Sequence, residues 1–166
     1  MSQRDQEILD AVERERKRLG AVDPALVRAR SARLGSPVPV LAPDGSVAFY
    51  LVPLVVDHRA CGFARVEPSL RVSQLGIFGG HADDESAWID EDYFARPPAR
   101  LLDEVLAAYP GSMLSAPVFS YDRTPARWGW RVEVVRGGAP VEVVFIGPTS
   151  WYRAAPVPHG GGDREG

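Results

Sequence analysis

Cysteine, histidine and lysine are scarce in this chain of 166 residues. The sequence contains one cysteine, Cys61, three histidines and a single lysine, Lys17. A lone cysteine excludes an internal disulfide and is typical of a reducing compartment, so we expect a cytoplasmic location. The abundance of arginine, alanine, valine, glycine and proline is typical of a bacterial genome of high GC content.

An excess of positive charge and a long apolar run are also missing. The formal net charge is -3, whereas nucleic-acid binding relies on clustered lysine and arginine in excess, so we expect no nucleic-acid partner. The one basic cluster, residues 14–18, is interleaved with glutamates and is interpreted as a solvated helix face. No run reaches the ~20 apolar residues that span a bilayer, and the first residues lack the apolar core of a signal peptide. The sequence therefore predicts neither membrane insertion nor export.

The remaining composition is typical of a globular protein, with 45% hydrophobic and 25% charged residues. This size and composition favour one folded domain. We predict an amphipathic helix over residues 1–22 and a single α+β domain over 23–153. Residues 154–166 have too little apolar content to fold and are predicted to be disordered.

Helix signals occur at three places. Ser2 can cap a first helix that ends at Gly20. A second helix is predicted to begin at Asp23 and to stop at Gly35. A third is predicted over residues 99–109, where the apolar positions fall on one side.

Alternating, β-branched runs separated by turn residues predict strands in the rest of the chain. The first three runs are interpreted as an antiparallel meander. A hairpin turn is predicted at residues 136–138, Arg-Gly-Gly. An acidic loop at 79–96, with a helical turn around 88–94, joins the two groups of strands. The predicted strands cover residues 47–56, 59–67, 70–78, 116–121, 128–136 and 141–146.

Two hairpins share one hydrophobic pattern. Residues 50–68 align without a gap with residues 130–148, at a spacing of 80 residues. Each hairpin follows a short strand and a predicted helix. The sequence therefore predicts an α+β fold of two pseudo-repeated helix-plus-antiparallel-meander units (αβββ), residues 23–78 and 97–148, with an extra N-terminal helix.

His58 and Cys61 lie three residues apart and can in principle form an imidazole and thiolate pair. The alternative is structural, because an unbridged cysteine is usually a small buried hydrophobe. We favour the structural interpretation and predict no catalytic residues.

The acidic loop is a second candidate, with His81, Asp83, Asp84 and Glu85 as possible ligands of a divalent metal. Neither the carboxylate spacing of a calcium loop nor the histidine pattern of a zinc site is present. We favour a solvated linker with acidic residues near a helix start, and predict no metal and no cofactor.

Four residues are candidates for binding: Trp128, Trp130, Tyr50 and His58. The two tryptophans alternate along one strand, so both indoles face the same side. Such indoles line a pocket, anchor an interface or fill a core. The run 49–56 is apolar on both faces, which predicts extra cover from the N-terminal helix or from a second subunit.

A helix followed by a three-strand meander, with a YLVP-type strand that begins at Tyr50, resembles bacterial PepSY-like domains and, more loosely, cystatin-like folds. The resemblance covers residues 24–78 and 99–148. It implies a non-catalytic module that binds or restrains a peptidase. The chain departs from the pattern at residues 67–69, which read Glu-Pro-Ser where an Asp, Thr and Gly turn is common, and no functional residue of the family has a match here.

Three functional hypotheses follow. The first is a non-enzymatic protein-interaction module, such as an inhibitor, immunity or accessory protein, that binds a protein partner through a sheet face or edge strand. The alternative is a small-molecule-binding or enzymatic cone-shaped α+β domain with a pocket lined by Trp128 and Trp130. The third is a homodimer formed through the apolar first hairpin.

Overall fold

The computed structural model describes residues 1–19, 27–80 and 84–155. Within these residues the chain forms three α-helices and eleven β-strands. The helices are α1 (Gln3–Leu19), α2 (Val27–Ser31) and α3 (Ala99–Ala108). The strands are β1 (Arg33–Leu34), β2 (Val38–Leu41), β3 (Val47–Val56), β4 (Arg59–Val66), β5 (Val72–Ile77), β6 (Ile89–Asp90), β7 (Met113–Leu114), β8 (Val118–Tyr121), β9 (Trp128–Arg136), β10 (Ala139–Ile146) and β11 (Trp151–Arg153).

The described strands belong to a single mixed sheet. Its order is β11-β10-β9-β8-β2-β3-β4-β5, and the short strands β1, β6 and β7 pair with β3, β4 and β9. The two halves join at the centre through β2 and β8, which run parallel and pair Leu41 with Ser120. The Ser120 hydroxyl donates a hydrogen bond of 2.7 Å to the carbonyl oxygen of Leu41.

The predicted fold class, two helix-plus-meander units (αβββ), is wrong. The meander of β3, β4 and β5 is present, and the hairpin register recurs, since Tyr50 pairs with Val66 as Trp130 pairs with Ile146. However, the strands do not form two separate α+β units, because β2 and β8 join them into one sheet of eleven described strands. This join links residues 79 positions apart, and a local hydrophobic pattern holds no information about such a pairing.

The second predicted helix is also shorter than expected. Only residues 27–31 of it are described as helical, and its predicted start at Asp23 lies outside the described residues. Arg33 and Leu34 form β1 and pair with Val55 and Leu54. Pairing beside a buried strand outweighs the weak local preference for helix.

The acidic loop contains short elements. Two 3-10 helices span Glu85–Ala87 and Glu91–Phe94, and β6 lies between them. Strand β6 adds to the start of β4, where Ile89 pairs with Ala60. The predicted helical turn is therefore divided by a strand, because this segment lies along the sheet edge.

Helix α1 confirms the predicted capping by Ser2. The Ser2 hydroxyl accepts a hydrogen bond of 3.0 Å from the Asp5 N–H, and the Asp5 carboxylate accepts one of 2.9 Å from the Ser2 N–H. The bond from the Ser2 backbone holds the pKa of Asp5 below its ordinary value. The helix buries Ile8 and Val12 completely against one face of β3 and β4.

Helix α3 covers the corresponding face of the second hairpin. Leu101 and Val105 are fully buried against Val132 of β9 and Val144 of β10. Both hairpins therefore have a helix on one face, as their apolar alternation requires. No helix in the described part of the chain combines the length and apolar content needed to cross a bilayer.

The sheet is strongly curved. Four strand spacings separate β4 from β9 in the sheet order, which would be about 19 Å in a flat sheet. Nevertheless, the rings of Phe63 in β4 and Trp128 in β9 are 5.7 Å apart. The curvature brings together an aromatic core that also contains Phe49, Tyr93, Phe94 and Phe119.

The extra cover predicted for β3 comes from within the chain. Val52 and Leu54 lie under the N-terminal helices, whereas Phe49 and Leu51 lie in the aromatic core. Both faces of the strand are therefore buried without a second subunit, and the first hairpin offers little free surface for the predicted homodimer.

Candidate functional site: a central groove

A groove of about 580 Å³ lies on the N-terminal side of the Leu41–Ser120 pair, between β2 and β8. Residues of β1, β3, β9 and the second 3-10 helix also line it, and we call it the central groove. Its position follows from the topology, because two parallel strands joined at one end leave a cleft between their other ends. Its lining residues are Arg33, Gly35, Ser36, Pro37, Val38, Pro39, Leu41, Pro53, Val55, Glu91, Asp92, Phe94, Ala95, Pro117, Val118, Phe119 and Trp130.

The base of the groove is apolar and aromatic. Phe119 and Trp130 contact each other edge to face, with ring centroids 5.0 Å apart and planes at 87°. The Trp130 indole N–H donates a hydrogen bond of 2.7 Å to the carbonyl oxygen of Tyr93. Phe94 lies 6.4 Å from Phe119. These contacts fix the orientation of the rings, so the groove is formed before any ligand enters.

Proline forms much of the groove wall. Pro37 precedes β2 and Pro39 lies within it. Pro117 precedes β8, and Pro53 lies in β3. Because proline has no backbone N–H, these positions cannot donate the hydrogen bonds that an added strand requires. The wall therefore favours contact between apolar surfaces over strand addition.

A cluster of charges forms one side of the rim. The Glu91 carboxylate accepts a hydrogen bond from the Arg33 guanidinium and lies 3.0 Å from Nδ1 of His58. The hydrogen bond between Glu91 and His58 is the main reason why the pKa of Glu91 is lowered and the pKa of His58 is raised. The Glu91 N–H also donates to the His58 carbonyl oxygen at 3.0 Å. The cluster thus fixes the start of the 3-10 helix that carries Phe94 into the groove.

The four predicted binding residues do not converge on one site. Trp130 lines the groove, and His58 contributes to the charged rim through Glu91. Trp128 packs against Phe63, and both line a separate cavity of about 260 Å³. Tyr50 lies among the residues under α1, where the Arg4 guanidinium is 5.8 Å from its ring centre.

Sequence reasoning missed most of the groove lining. The sequence predicts Phe94 in the helical turn of a solvated acidic loop and Phe119 only as part of a strand. One signal was present: Pro37 and Pro117 precede β2 and β8 at the 80-residue spacing of the two hairpins. That repeated proline marks the two strand ends that face each other across the groove.

Cys61 and His58 have different partners. The Cys61 thiol is buried beside Ala32 and Trp88, and it donates a hydrogen bond of 3.3 Å to the carbonyl oxygen of Leu54. The His58 imidazole is exposed and is directed to Glu91. This arrangement suits the structural interpretation of Cys61.

The acidic segment supplies local caps. Asp84 accepts a hydrogen bond from the Ser86 N–H at 3.2 Å, and Asp90 accepts one from the Asp92 N–H at 2.9 Å. Among residues 1–19, 27–80 and 84–155, no group of three His, Cys, Asp or Glu side chains is placed to hold a metal ion. His81 and Asp83 lie outside the described residues.

No family model matches the chain, and no curated protein or solved structure matches it significantly. The resemblance to PepSY-like domains therefore stays a prediction.

Proposed function

We propose that the protein is a non-enzymatic interaction module that binds an extended apolar segment of a partner protein in the central groove. The observation that supports this proposal is the combination of an aromatic base with proline-rich walls in a groove of about 580 Å³. The proposal retains the cytoplasmic location and the bacterial source expected from the composition.

The groove chemistry indicates the kind of segment that fits. Aromatic grooves bind proline-rich or other extended segments that need no sheet hydrogen bonds, because such segments are already close to a polyproline II conformation. Trp130 is partly exposed and offers a flat apolar surface, Phe94 and Phe119 are almost fully buried, and the prolines of the wall leave few backbone donors. We therefore expect a partner segment that is extended, apolar and rich in proline or aliphatic side chains.

The rim adds a charge preference. The Asp92 carboxylate is 71% exposed and lies 3.5 Å from Arg96, which is itself 76% exposed. Glu91 is already paired with Arg33 and His58. Asp92 is more exposed than Glu91, so it is the acidic rim residue more accessible to a basic side chain beside the apolar segment, although such an exposed pair adds little affinity.

A selection from a displayed peptide library tests the proposal, with Ser36→Trp as the blocking variant. Ser36 is exposed and lines the groove, so an indole at this position occupies the space that a ligand needs. Ser150→Trp is the matched control, because Ser150 is exposed in the turn before β11 and is not part of the groove lining.

We expect selected peptides to bind the wild type and Ser150→Trp alike and Ser36→Trp at least about tenfold more weakly, which is a difference of about 1.4 kcal/mol. Isothermal titration calorimetry measures each Kd. Equal binding to Ser36→Trp and the wild type would contradict the proposal.

A small apolar molecule is the second candidate ligand. Its support is the groove volume, which lies within the range of roughly 300–1,000 Å³ typical of ligand pockets, together with the presence of Trp130 in the lining. Native mass spectrometry of protein purified from the source organism distinguishes this candidate. A small bound mass on the wild type and Ser150→Trp, absent from Ser36→Trp, would favour the small molecule over the peptide.

A further inference from the structure

The second hairpin has one face that α3 does not cover. Along β9, Arg131, Glu133 and Val135 alternate with Val132 and Val134, which are buried under α3. The register places three neighbours on the same face: Phe145 opposite Arg131, Val143 opposite Glu133, and Met113 opposite Val135. Phe145 is itself buried and stacks on Tyr152. We call Arg131, Glu133, Val135, Val143 and Met113, together with Pro140 and Val141 of β10, the outer face.

The outer face exposes apolar side chains in one row. Met113 is 74% exposed and pairs with Val135, which in turn pairs with the exposed Pro140. Val141 lies at the bulge next to Pro140 and is 51% exposed. None of Met113, Val135 or Val141 belongs to a buried cluster of the described residues. A contiguous exposed apolar row beside polar residues is typical of an interaction surface.

The equivalent face of the first hairpin shows what such a surface can accommodate. There Leu51 pairs with Arg65 and Pro53 with Phe63, and the aromatic core packs on this side of the strands. The same side of the second hairpin has charged residues at the matching positions, Arg131 and Glu133. These side chains are 38% and 34% exposed and lie 2.9 Å apart.

The charge arrangement favours a second copy of the chain as the occupant. Arg131 and Glu133 lie two residues apart on one strand and have opposite charges. When two copies pack face to face about a two-fold axis near the middle of β9, Arg131 of each copy meets Glu133 of the other. A surface that is complementary to itself in this way is what an isologous dimer requires. The exposed apolar row lies at the turn end of the same face, two positions along β9 from Glu133, and borders this contact.

We infer that the outer face, centred on Arg131 and Glu133 and bordered by Met113, Val135 and Val141, forms a symmetric homodimer interface. The outer face adjoins the central groove, because Val118 pairs with Arg131 and lines the groove, but neither the charged pair nor Met113 is part of the groove lining.

Two charge-reversal variants test the interface by exchange. In Arg131→Glu both positions are acidic, and in Glu133→Arg both are basic, so each variant repels its own copy across the two-fold axis. A mixture of the two variants restores opposite charges at both contacts. We expect the wild type, at roughly 100 µM, to have twice the mass of 18.1 kDa in sedimentation and light-scattering measurements. Each variant alone is expected to be monomeric, and their equimolar mixture to be dimeric.

Only an intermolecular contact predicts recovery on mixing, since each variant loses the internal pair whether or not it is mixed. A monomeric wild type at this concentration, or a mixture that stays monomeric, overturns the inference. Circular dichroism establishes that each variant is folded. Should either fail to fold, Met113→Glu is the second variant, since Met113 is largely exposed. We expect Met113→Glu to weaken dimerisation at least about tenfold. The control is Leu106→Glu, at an exposed leucine of α3, which should leave dimerisation unchanged. Equal dimerisation of Met113→Glu and the wild type also overturns the inference.

Discussion

Gly62 lies within β4 and shows how a single residue fixes strand packing. A Cβ added to Gly62 would overlap the carbonyl oxygen of Gly76 in β5, which is backbone and cannot move aside. A Cβ added to Gly76 itself would meet only the Gln74 side chain at 3.9 Å. The two glycines lie on neighbouring strands, where Gly62 pairs with Ile77 and Gly76 pairs with Phe63, and they are under different constraints.

We expect Gly62→Ala to lower the free energy of unfolding by about 2–3 kcal/mol, as in overpacked cores, because β4 and β5 must separate. Gly76→Ala is the control and should change stability by less than about 1 kcal/mol. Urea denaturation measures both. Equal stabilities of the two variants would show that the strands adjust without cost.

His58 combines a strained backbone with a favourable side-chain contact. Asp57 and His58 both have positive φ angles, 47° and 62°, as a two-residue hairpin turn of this type requires. At the matching positions the second hairpin has Gly137 and Gly138, which adopt such angles without strain. The imidazole of His58 in turn pairs with Glu91.

The pKa shifts predict a pH-dependent effect of His58→Gly. The pKa of His58 is raised, so its stabilising contribution is present below its ordinary value of 6.5 and is lost as pH rises through the folded value. The pKa of Glu91 is lowered, so its contribution is present above its ordinary value of 4.5 and is lost as pH falls through the folded value. The pair therefore stabilises most between these ordinary values. We expect His58→Gly to be less favourable, relative to the wild type, within this window than at alkaline pH, where glycine only relieves the positive φ angle.

Chemical denaturation at an acidic and an alkaline pH measures this difference. Gly138→Ala is the control: it places a Cβ at a φ of 81° and should destabilise by about 1 kcal/mol at both pH values. A difference between His58→Gly and the wild type that does not change with pH would contradict a role for the Glu91 pair.

At the scale of elements, α3 is held by one face. Leu101 is fully buried against β9 and β10, whereas Leu106 of the same helix is 39% exposed. Both positions are leucine within one helix, so their helix propensities cancel in a comparison. The helix is therefore stabilised mainly by its packing.

We expect Leu101→Ala to destabilise the protein by about 2–5 kcal/mol, since it leaves a cavity under the helix. Leu106→Ala should cost less than about 1 kcal/mol. Thermal and urea denaturation give the two values. A similar loss for both variants would show that α3 does not pack as described.

The elements that the sequence predicted well are those with local signals. The Ser2 cap marks the start of α1, and the apolar spacing over residues 99–109 predicts α3, which ends one residue earlier at Ala108. Alternation and the glycine turn predicted β9 with its bounds and most of β10. Helix α2 is the exception, since β1 follows it directly and its pairing with β3 is a tertiary contact.

At the scale of the whole molecule, Phe119 links the two halves. It lies in β8 and contacts Tyr93, Trp128 and Trp130 at centroid distances of 5.9, 5.8 and 5.0 Å. The first-half residues Val40 and Phe49 belong to the same buried cluster. A shared core of this kind predicts that the two halves unfold together.

We expect Phe119→Ala to destabilise by about 3–5 kcal/mol while unfolding stays a single transition. Far-ultraviolet circular dichroism reports the sheet, and near-ultraviolet circular dichroism reports the aromatic core. Coincident denaturation curves from both are expected for the wild type and the variant. Separate transitions would show that the halves are independent.

The sequence by itself determined the local features of this protein: the capped first helix, the amphipathic third helix and two hairpins of matching register. These follow from interactions within a few residues, or within about twenty for a hairpin, so the hydrophobic pattern and the turn residues specify them. The tertiary structure alone decided that β2 and β8 run side by side, that the sheet curves around an aromatic core, and that Trp130 lines a groove with Phe94 and Phe119. Such contacts join residues that are distant in the sequence. The hydrophobic effect that buries these apolar side chains is not directional, so composition and spacing predict that the residues are buried but not which of them are in contact.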